Sequence, residues 1–331
     1  MSRAAHRIAV IPGDGIGPEV IAAARLVLEA TGLPLEMREY PAGDDCLTQR
    51  GVALPEETLR AAKEAEAVLF GAAGDTAAEV ILRLRAELET WVNLRPARAL
   101  AGVECLYPQA DLVIVRENTE CLYRGLESRL TPEVVTATRL ITAGASRRIA
   151  RFAFDYARRQ GYRRVTAVHK ANVLRQSDGL FLDCCREAAR NHPDIDYQEV
   201  LVDAAAMYLV QDPERFQVMV TTNLFGDILS DLAAGLIGGL GLCPSANLGD
   251  RHALFEPVHG SAPDIAGQGR ANPAAAIMCA AMMLAHLGHR HQAEAVHQAL
   301  AAAVAEGQTT PDLGGSLDTL GMARAVAERL G

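Results

Sequence analysis

The sequence has no excess of positive charge. Its 41 aspartate and glutamate residues outnumber its 32 lysine and arginine residues, which gives a formal net charge of −9. Surfaces that bind nucleic acid or an anionic membrane need the opposite balance. We therefore expect neither nucleic acid nor a membrane as a partner, and any site for an anionic substrate has to gather its arginines locally.

Long apolar segments and paired cysteine motifs are also missing. The N-terminal stretch MSRAAHRIAVIPGDG has no apolar core of the kind found in secretory signals, and the later stretch AAAIMCAAMMLAHLG is too short to cross a bilayer. The seven cysteines form no CxxC pair, and an odd number without a secretory signal indicates reduced thiols that serve in packing. These features predict a cytoplasmic protein.

The chain is long enough for a substantial core and for two domains, with 331 residues of which 50% are hydrophobic. Apolar runs of β character alternate with runs of helical period, including residues 18–31, 55–65, 78–90, 138–160 and 177–191. This alternation predicts an α/β sheet protein. After Asn223 the strand signal fades, and long helices are expected to the end. No repeat and no Gly/Ser/Pro-rich linker marks a domain boundary.

Glycines break the first apolar run, in IAVIPGDGIGPEV. The spacing of Gly13 and Gly15, with acidic Glu36 and Glu39 about twenty residues later, is similar to that of a Rossmann dinucleotide site. The third glycine of that pattern is replaced by Pro18, which favours the first turn of a helix. We expect a tight strand-to-helix turn here, and a nucleotide would be bound mainly by another segment.

Two aspartates in TNLFGDILSDLAAGL are one helical turn apart. Asp227 and Asp231 are spaced i, i+4, so a helix projects both carboxylates from one face, where like charges repel. A helix N-terminus would stabilise Asp227 alone, whereas a divalent cation with oxygen ligands would stabilise both. The segment therefore predicts a metal site, with Asp203 at the end of the run EVLVD as a possible third ligand.

Arginines and two candidates for proton transfer are the next features. Three guanidinium groups, from Arg85, Arg95 and Arg116, would suit a substrate with several carboxylates, because each planar fork binds a carboxylate in two places. Lys170 follows a strand-like run, where the ends of strands open into a cleft. Tyr123 is a possible proton donor. A structural role is equally compatible with either residue.

The segment FEPVHGSAPDIAGQGRANP predicts a series of turns whose backbone can approach a ligand closely. Asp264 within it could accept hydrogen bonds from ribose hydroxyls and would repel a 2′-phosphate, although a plain surface loop is the alternative. The histidines of HLGHRHQ, namely His286, His289 and His291, have no acidic or thiol partners nearby, so we expect a solvated helix end rather than a metal site.

Taken in order, the motifs GDGIGPEV, LRP, RENTE, HKANVL, TNLFGDILSDLAAGLIGGLG and EPVHGSAPDIAG resemble those of the β-decarboxylating dehydrogenases. That family includes isocitrate, homoisocitrate, 3-isopropylmalate and tartrate/D-malate dehydrogenases, and the resemblance extends from about Ile8 to the C-terminal helices. It implies an α/β isocitrate/isopropylmalate dehydrogenase-like fold with a cleft between two α/β domains, rather than a Rossmann fold. The large cofactor-binding domain would comprise residues 1–92 and 238–331. The small domain, residues 93–237, would hold the dimer interface and the metal and substrate residues.

The resemblance also implies a role for each site residue. Mg²⁺ or Mn²⁺ would be bound in a homodimer by three carboxylates, Asp227 and Asp231 of one subunit and Asp203 of the other. The acid–base pair would be Tyr123 and, from the other subunit, Lys170. The substrate would be bound by Arg85, Arg95, Arg116 and Asn118. NAD would be bound by Glu256, His259, Gly260, Ser261, Ala262, Asp264, Ile265 and Asn272, and Asp264 resembles the residue of the NAD-selective members.

The implied activity is the oxidative decarboxylation of a 3-substituted malate to a 2-oxo acid and CO₂. The main hypothesis is a substrate of the isocitrate or homoisocitrate type. Asn118 favours the isocitrate, homoisocitrate and tartrate branch, and Arg83 could hold a distal anion if it turned inward, as in homoisocitrate enzymes. Glu79 and Ile81 count against plain isocitrate, whereas Ile81 and Leu82 resemble the apolar pair that receives an isopropyl group. The alternatives are 3-isopropylmalate, tartrate or D-malate, an unusual 3-substituted malate, and a non-catalytic regulatory subunit, against which the intact set of site residues argues.

Overall fold

A computed structural model describes residues 5–330. The strands are β1 (His6–Gly13), β2 (Leu35–Glu39), β3 (Ala67–Ala72), β4 (Val92–Arg98), β5 (Asp111–Glu117), β6 (Glu127–Thr131), β7 (Val134–Ala137), β8 (Arg164–His169), β9 (Asp196–Leu201), β10 (Val218–Thr221), β11 (Pro244–Leu248) and β12 (Ala253–Pro257). The α-helices are α1 (Gly17–Ala30), α2 (Asp44–Arg50), α3 (Glu56–Glu64), α4 (Arg83–Glu87), α5 (Ala143–Gln160), α6 (Ser177–Arg190), α7 (Val202–Gln211), α8 (Asn223–Leu236), α9 (Ala274–His286), α10 (Arg290–Ala305) and α11 (Thr319–Ala327). A π-helical turn, Ala78–Leu82, leads directly into α4, and short 3₁₀ turns occupy Leu122–Arg124, Pro213–Arg215, Leu240–Leu242 and Pro311–Leu313.

One compact unit comprises the chain up to Thr90, the segment Ala99–Pro108 and the chain from Ile237 onward. Its strands follow the order β2-β1-β3-β12-β11, and all neighbours are parallel except β11 and β12. The β3 sequence AVLFGA is buried at every position, as expected for a parallel strand with both faces covered. The turn after β1 and the loop after β12 therefore belong to the same unit.

The second compact unit comprises Trp91–Arg98 and Gln109–Leu236. Its strands follow the order β4-β5-β10-β8-β9, in which β4 is antiparallel to β5 and the other pairs are parallel. Parallel strands direct their carboxyl ends to one edge of a sheet, where α/β proteins bind ligands. The residues that end or follow β5, β8 and β10 therefore meet at that edge.

A two-stranded antiparallel hairpin, β6 with β7, lies outside this sheet. Every residue of both strands is exposed. An isolated hairpin of two strands is marginally stable in water, and its apolar side chains, Leu130, Val134 and Val135, face solvent in the single chain.

The alternation of strands and helices is confirmed, and the helices expected near residues 18–31, 55–65 and 177–191 are present within two residues at each end. The expectation that strands end after Asn223 is wrong, because β11 and β12 form an antiparallel pair in which Ser245 lies opposite Glu256. Proline disfavours strands, so Pro244 and Pro257 at the ends of these short strands kept residue propensities from predicting them. The helix expected from residue 138 begins at Ala143, where the Thr142 side chain accepts the backbone N–H of Ala145 at 3.2 Å.

The helices differ from membrane-spanning segments in length and hydropathy. Within residues 5–330, none of them combines the length and the apolar character needed to cross a bilayer.

Candidate functional site

The glycine turn between β1 and α1 packs closely against the backbone of two other segments. A β-carbon on Gly13 would lie 1.9 Å from the Ala72 carbonyl oxygen, and one on Gly15 would lie 2.0 Å from the Ser261 carbonyl oxygen. Asp14 and Ile16 donate their N–H groups to the same two carbonyls, at 2.9 and 2.8 Å. The tight turn expected from the sequence is confirmed, and its glycines allow close approach to the end of β3 and to the loop after β12.

The loop between β12 and α9 contains most of the residues expected to bind a cofactor, namely His259, Gly260, Ser261, Ala262, Asp264, Ile265 and Asn272. Ala262 has φ +37°, a left-handed conformation that is uncommon for a residue with a side chain. Asp264 is exposed, and its backbone carbonyl accepts a hydrogen bond from Gln268 Nε2 at 2.8 Å. The loop therefore holds a strained backbone and an exposed carboxylate close together in sequence.

His259 has a defined hydrogen-bonding state in this loop. Its Nδ1 lies 3.0 Å from the Gly260 carbonyl oxygen, which can only accept, so Nδ1 carries a proton. Burial lowers the pKa of the imidazole, which is therefore neutral. The Nε2 atom is then an acceptor, and it is buried without a partner among the described residues. An orphaned buried acceptor of this kind fits a bound hydroxyl or amino group.

Asn272 ends the same loop, and its side-chain amide is engaged within the protein. The Oδ1 atom accepts the N–H of Ala274 at 2.9 Å, and Nδ2 donates to Asp312 Oδ2 at 3.0 Å. These two bonds fix the end of the loop against the start of α9 and against the 3₁₀ turn Pro311–Leu313.

Arg85 in α4 forms a buried ion pair with Glu256 at the end of β12. Its Nε and Nη2 atoms lie 3.2 and 2.7 Å from Glu256 Oε1, and Asn247 Nδ2 donates to the same oxygen at 2.6 Å. Glu256, which was expected to bind the cofactor, thus orients Arg85, a candidate substrate-binding residue. Asn247 was not foreseen from the sequence, because it lies on the strand β11 that was not predicted.

In the second unit, α8 carries Asp227 and Asp231 on one face, as the spacing predicts. Arg116 Nη1 and the Tyr123 hydroxyl both donate to Asp227. Arg95 Nη1 lies 3.3 Å from Asp227 Oδ1 and 3.4 Å from Asp231 Oδ1. Two guanidinium groups therefore offset the repulsion between the carboxylates. Burial, followed by the hydrogen bond to Asp227, raises the pKa of Tyr123, so the phenol is protonated and can donate.

Arg95 and Arg116 are held in place by hydrogen bonds to neutral side chains. Arg116, fully buried at the end of β5, donates from Nε and Nη2 to Asn223 Oδ1 at 3.0 and 2.7 Å. Gly226 makes room for it, because a β-carbon there would lie 2.6 Å from Arg116 Cγ. Arg95 on β4 donates to Ser230 Oγ at 2.7 Å. The supporting residues Asn223 and Ser230 were not foreseen from the sequence, although they lie four and one positions before the aspartates.

Lys170 and Asp203 form a separate pair. Lys170 follows β8, and its Nζ atom lies 2.6 Å from Asp203 Oδ1 in the first turn of α7. This hydrogen bond holds the pKa of Asp203 below its usual range. In the part of the chain from residue 5 to residue 330, no three histidine, cysteine or acidic side chains converge as metal ligands. A single chain thus presents Asp227 with Asp231, while Asp203 is bound to Lys170.

Asn118 follows β5, half-buried, with its backbone N–H directed to the Trp91 carbonyl at 3.2 Å. Of the residues expected at the site, the structure brings together one cluster in this unit, which consists of Arg95, Arg116, Tyr123, Asp227 and Asp231.

Comparison with known protein families gives one match along nearly the whole chain. The model of the family described as isocitrate/isopropylmalate dehydrogenase matches residues 7–327.

Individual relatives are similar over their full length. A 3-isopropylmalate dehydrogenase of Archaeoglobus fulgidus is 58% identical over 324 residues, which cover 98% of this chain and 99% of that protein. An isocitrate/homoisocitrate dehydrogenase of Thermus thermophilus is 51% identical over 332 residues, with 98% and 99% coverage. The crystal structure of isocitrate dehydrogenase from Methylococcus capsulatus superimposes with a TM-score of 0.95 at 45% identity, covering 98% of this chain and 99% of that one.

Proposed function

Because this chain belongs to the isocitrate/isopropylmalate dehydrogenase family and is therefore a β-decarboxylating dehydrogenase, we propose that it oxidises and decarboxylates a 3-alkylmalate of the 3-isopropylmalate type. The reaction would use NAD and a divalent metal ion, and it would release a 2-oxo acid and CO₂. The higher identity to a 3-isopropylmalate dehydrogenase than to an isocitrate/homoisocitrate dehydrogenase supports this substrate. It replaces the isocitrate type as the main hypothesis.

The segment before Arg85 carries the observation on which the choice of substrate depends. Arg83 is the cation that would have to bind the distal carboxylate of homoisocitrate, and its Nη2 atom lies 2.6 Å from Glu56 Oε1. Leu82, which precedes it, is apolar and partly exposed, whereas Ile81 packs in the buried core, and Glu79 is exposed and negative. An apolar side chain, a carboxylate, and an arginine already paired with Glu56 together favour an alkyl substituent over an anionic one.

The acidic residues fit a hard divalent cation. Asp227 and Asp231 present carboxylate oxygens from one face of α8 and remain open to solvent, with 34% and 58% of their side chains exposed, and such oxygens are the ligands that Mg²⁺ and Mn²⁺ prefer. Asp203 of a second copy would complete the set. When bound, the metal ion supplies Lewis acidity for the substrate hydroxyl and ketone, and NAD supplies the hydride acceptor.

The protein side chains have separate tasks in this reaction. Arg95 and Arg116, held by Ser230 and Asn223, bind the malate carboxylates. Lys170 Nζ of a second copy, in its uncharged amine form, would accept the proton of the C2 hydroxyl while the hydride of C2 passes to NAD. After CO₂ leaves, the Tyr123 hydroxyl donates a proton to C3. This assignment gives each proton a definite donor or acceptor in the protein.

The face on which Asp203 lies supports the proposal of a homodimer. Met207 and Val210 are four and seven residues after Asp203 on α7, so the three share one side of the helix. Both apolar side chains are about half exposed, at 46% and 50%, and Ile228 beside Asp227 is exposed at 57%. A second copy that covered these side chains and the β6–β7 hairpin would also bring its Asp203 and Lys170 to Asp227.

The loop after β12 is the proposed NAD site. The neutral His259 offers its Nε2 atom as an acceptor, and the exposed Asp264 carboxylate would accept ribose hydroxyls and repel a 2′-phosphate. We therefore expect NAD rather than NADP. The seven free cysteines fit a reducing compartment such as the cytoplasm.

The test is NADH production by the purified chain with Mn²⁺ on 3-isopropylmalate, isocitrate, homoisocitrate, D-malate and tartrate, each repeated with NADP. We expect the largest kcat/KM for 3-isopropylmalate with NAD. The discriminating variant is Arg83→Ala, which should change kcat/KM for 3-isopropylmalate by less than about threefold because Arg83 binds Glu56 rather than the substrate. A dominant activity on homoisocitrate that Arg83→Ala abolishes would instead establish the second candidate, which Asn118 favours. A folded chain that binds Mn²⁺ and oxidises none of the five acids would contradict the proposal.

A further inference from the structure

We propose that the buried ion pair between Arg139 and Asp178 is a positioning device that holds Lys170 in register with the N-terminal end of α8. This inference rests on the proposed roles of Lys170 and Asp227. Neither residue of the pair binds Asp227 or Asp231. Both would act through the backbone and side chains that they bind.

Asp178 connects two partners through its two oxygens. It lies in the first turn of α6 with a relative exposure of 0%. Its Oδ2 atom accepts the backbone N–H of Lys170 at 2.6 Å, and its Oδ1 atom accepts a hydrogen bond from Arg139 Nη1. Lys170 is the first residue after β8, so this bond determines the direction in which the chain leaves the sheet and in which the lysine side chain projects.

Arg139 carries the connection to α8. Its Nη2 atom donates to Thr222 Oγ1 at 3.0 Å, directly before α8, and its guanidinium group lies 5.1 Å from the centre of the Phe225 ring within the first turn. Its Nε atom donates to Cys121 Sγ at 3.3 Å. A planar guanidinium group with donors on several edges can hold all of these partners at once, which a lysine cannot.

The link has a particular consequence in a homodimer. Each copy would contribute Asp227 to its own site and Lys170 to the other site. A rigid connection between these residues within one chain therefore fixes the geometry of both sites together. Burying an ion pair seldom raises stability by itself, because desolvation cancels most of the attraction. The benefit of this pair is the position that it imposes.

The central variant is Asp178→Asn, which has nearly the same shape, keeps one oxygen as an acceptor, and removes the charge that binds Arg139. A displaced Lys170 fails at proton transfer while the arginines still bind the substrate. We expect kcat to fall about 10- to 100-fold, with KM for the substrate and for NAD changed by less than about threefold. The matched control is Asp194→Asn, which removes the partner of Arg158 from an exposed ion pair in the same unit and should leave kcat unchanged.

A second measurement, hydrogen exchange, reports on the position of Lys170 and of the start of α8 without depending on activity. Hydrogen exchange should become faster in residues 168–176 and 221–228 of Asp178→Asn, and it should remain unchanged in these segments of Asp194→Asn, because only the first variant releases both ends of the link. Should Asp178→Asn fail to fold, Arg139→Lys replaces it, since it keeps the charge and loses the contacts to Thr222 and Cys121. The same kinetic and exchange results are expected.

The outcomes separate this inference from the proposed function. Faster exchange in both segments together with the selective loss of kcat supports the inference. Unchanged exchange overturns it, and so does faster exchange with a normal kcat, which would leave the pair with a structural role only. If the wild-type chain oxidises no 3-substituted malate, the proposed function fails on its own, while the exchange experiment still decides whether Asp178 holds Lys170.

Discussion

The carbonyl oxygen of Ser261 occupies the space that a side chain on Gly15 would need, since a β-carbon there would lie 2.0 Å from it. Gly15→Ala therefore has to displace the proposed cofactor loop. We expect KM for NAD to rise about tenfold or more, equivalent to about 1.4 kcal/mol of lost binding, with a smaller effect on KM for the organic acid. Steady-state kinetics with each substrate varied in turn measures this.

Gly32→Ala is the matched control for this prediction. Gly32 also has a positive φ, +67° compared with +55° for Gly15, but a β-carbon on Gly32 would have no other atom within 4 Å. Both variants incur left-handed strain of about 1 kcal/mol, and only Gly15→Ala meets the loop. An equal KM for NAD in the two variants would show that the turn does not support the cofactor site.

Replacing Lys170 by Met should abolish proton transfer and keep substrate binding. The change removes the Nζ atom that lies 2.6 Å from Asp203 while it preserves the apolar stem. We expect kcat to fall about 100- to 10,000-fold, with the dissociation constant of the organic acid, measured by calorimetry, within about threefold of the wild-type value. The control is Lys63→Met. Lys63 is the only other lysine of the chain, and it forms an exposed ion pair with Glu87. Turnover close to the wild-type rate would exclude Lys170 as the proton acceptor.

Removal of the metal ion should stop the reaction reversibly. Treatment with EDTA is expected to remove activity, and Mn²⁺ should restore it. In Asp231→Asn, which removes one of the two carboxylates of α8, we expect the Mn²⁺ concentration for half-maximal activity to rise at least about tenfold. Asp194→Asn again serves as the control. Full activity after exhaustive chelation would rule out a metal-dependent mechanism for this chain.

The exposed hairpin should be covered in solution by a second copy. Val135→Asp on β7, where the side chain is 50% exposed, places a charge in the proposed interface, and we expect the molar mass from light scattering to shift from dimer toward monomer with a parallel loss of activity. Leu106→Asp tests an apolar residue that is 71% exposed in the other unit and should leave the dimer intact. A wild-type chain that is monomeric and fully active would refute the shared site.

At position 121, a glycine variant should be more stable than an alanine variant, which is the reverse of the usual order. The backbone of Cys121 has φ +73° and ψ −149°, a region essentially restricted to glycine that costs about 1–3 kcal/mol. We therefore expect Cys121→Gly to be more stable than Cys121→Ala by about 1 kcal/mol in urea unfolding, because both lose the contact of Sγ with Arg139 and only glycine relieves the strain. At Cys46, buried in α2, the order should be the opposite by a similar amount. Equal ranking at the two sites would show that Cys121 is not strained.

The sequence predicted the elements whose periodicity and composition agree. Helix α8 and the shared face of Asp227 and Asp231 follow directly from the i, i+4 spacing, and the strand-to-helix turn follows from its glycines and Pro18. The alternation also predicted the α/β class correctly. These are local properties, which depend on neighbouring residues only.

The parts that were missed depend on tertiary packing rather than on a local periodic pattern. Strand β11 begins with proline and has little β character of its own, and it exists because β12 pairs with it. The partnership of Arg85 with Glu256 spans 171 positions, and Asp178 is an ordinary residue of a helix start until the fold places its carboxylate against the backbone of Lys170. Contacts of these kinds follow neither helical nor strand periodicity, so they leave no pattern in a single sequence.

The π-helical turn before α4 has a consequence for how this chain can change over evolutionary time. A π turn is a regular helix with one additional residue, so the deletion of one residue from Ala78–Leu82 would restore an ordinary helix and rotate the preceding side chains by about 100° relative to Arg85. Arg85 would keep its place, because Glu256, itself bound by Asn247, holds it from a different part of the chain. The loss of a single codon would therefore present residues 78–82 differently beside an unchanged arginine. Under the proposed function, this is a short mutational route to a substrate with a different substituent.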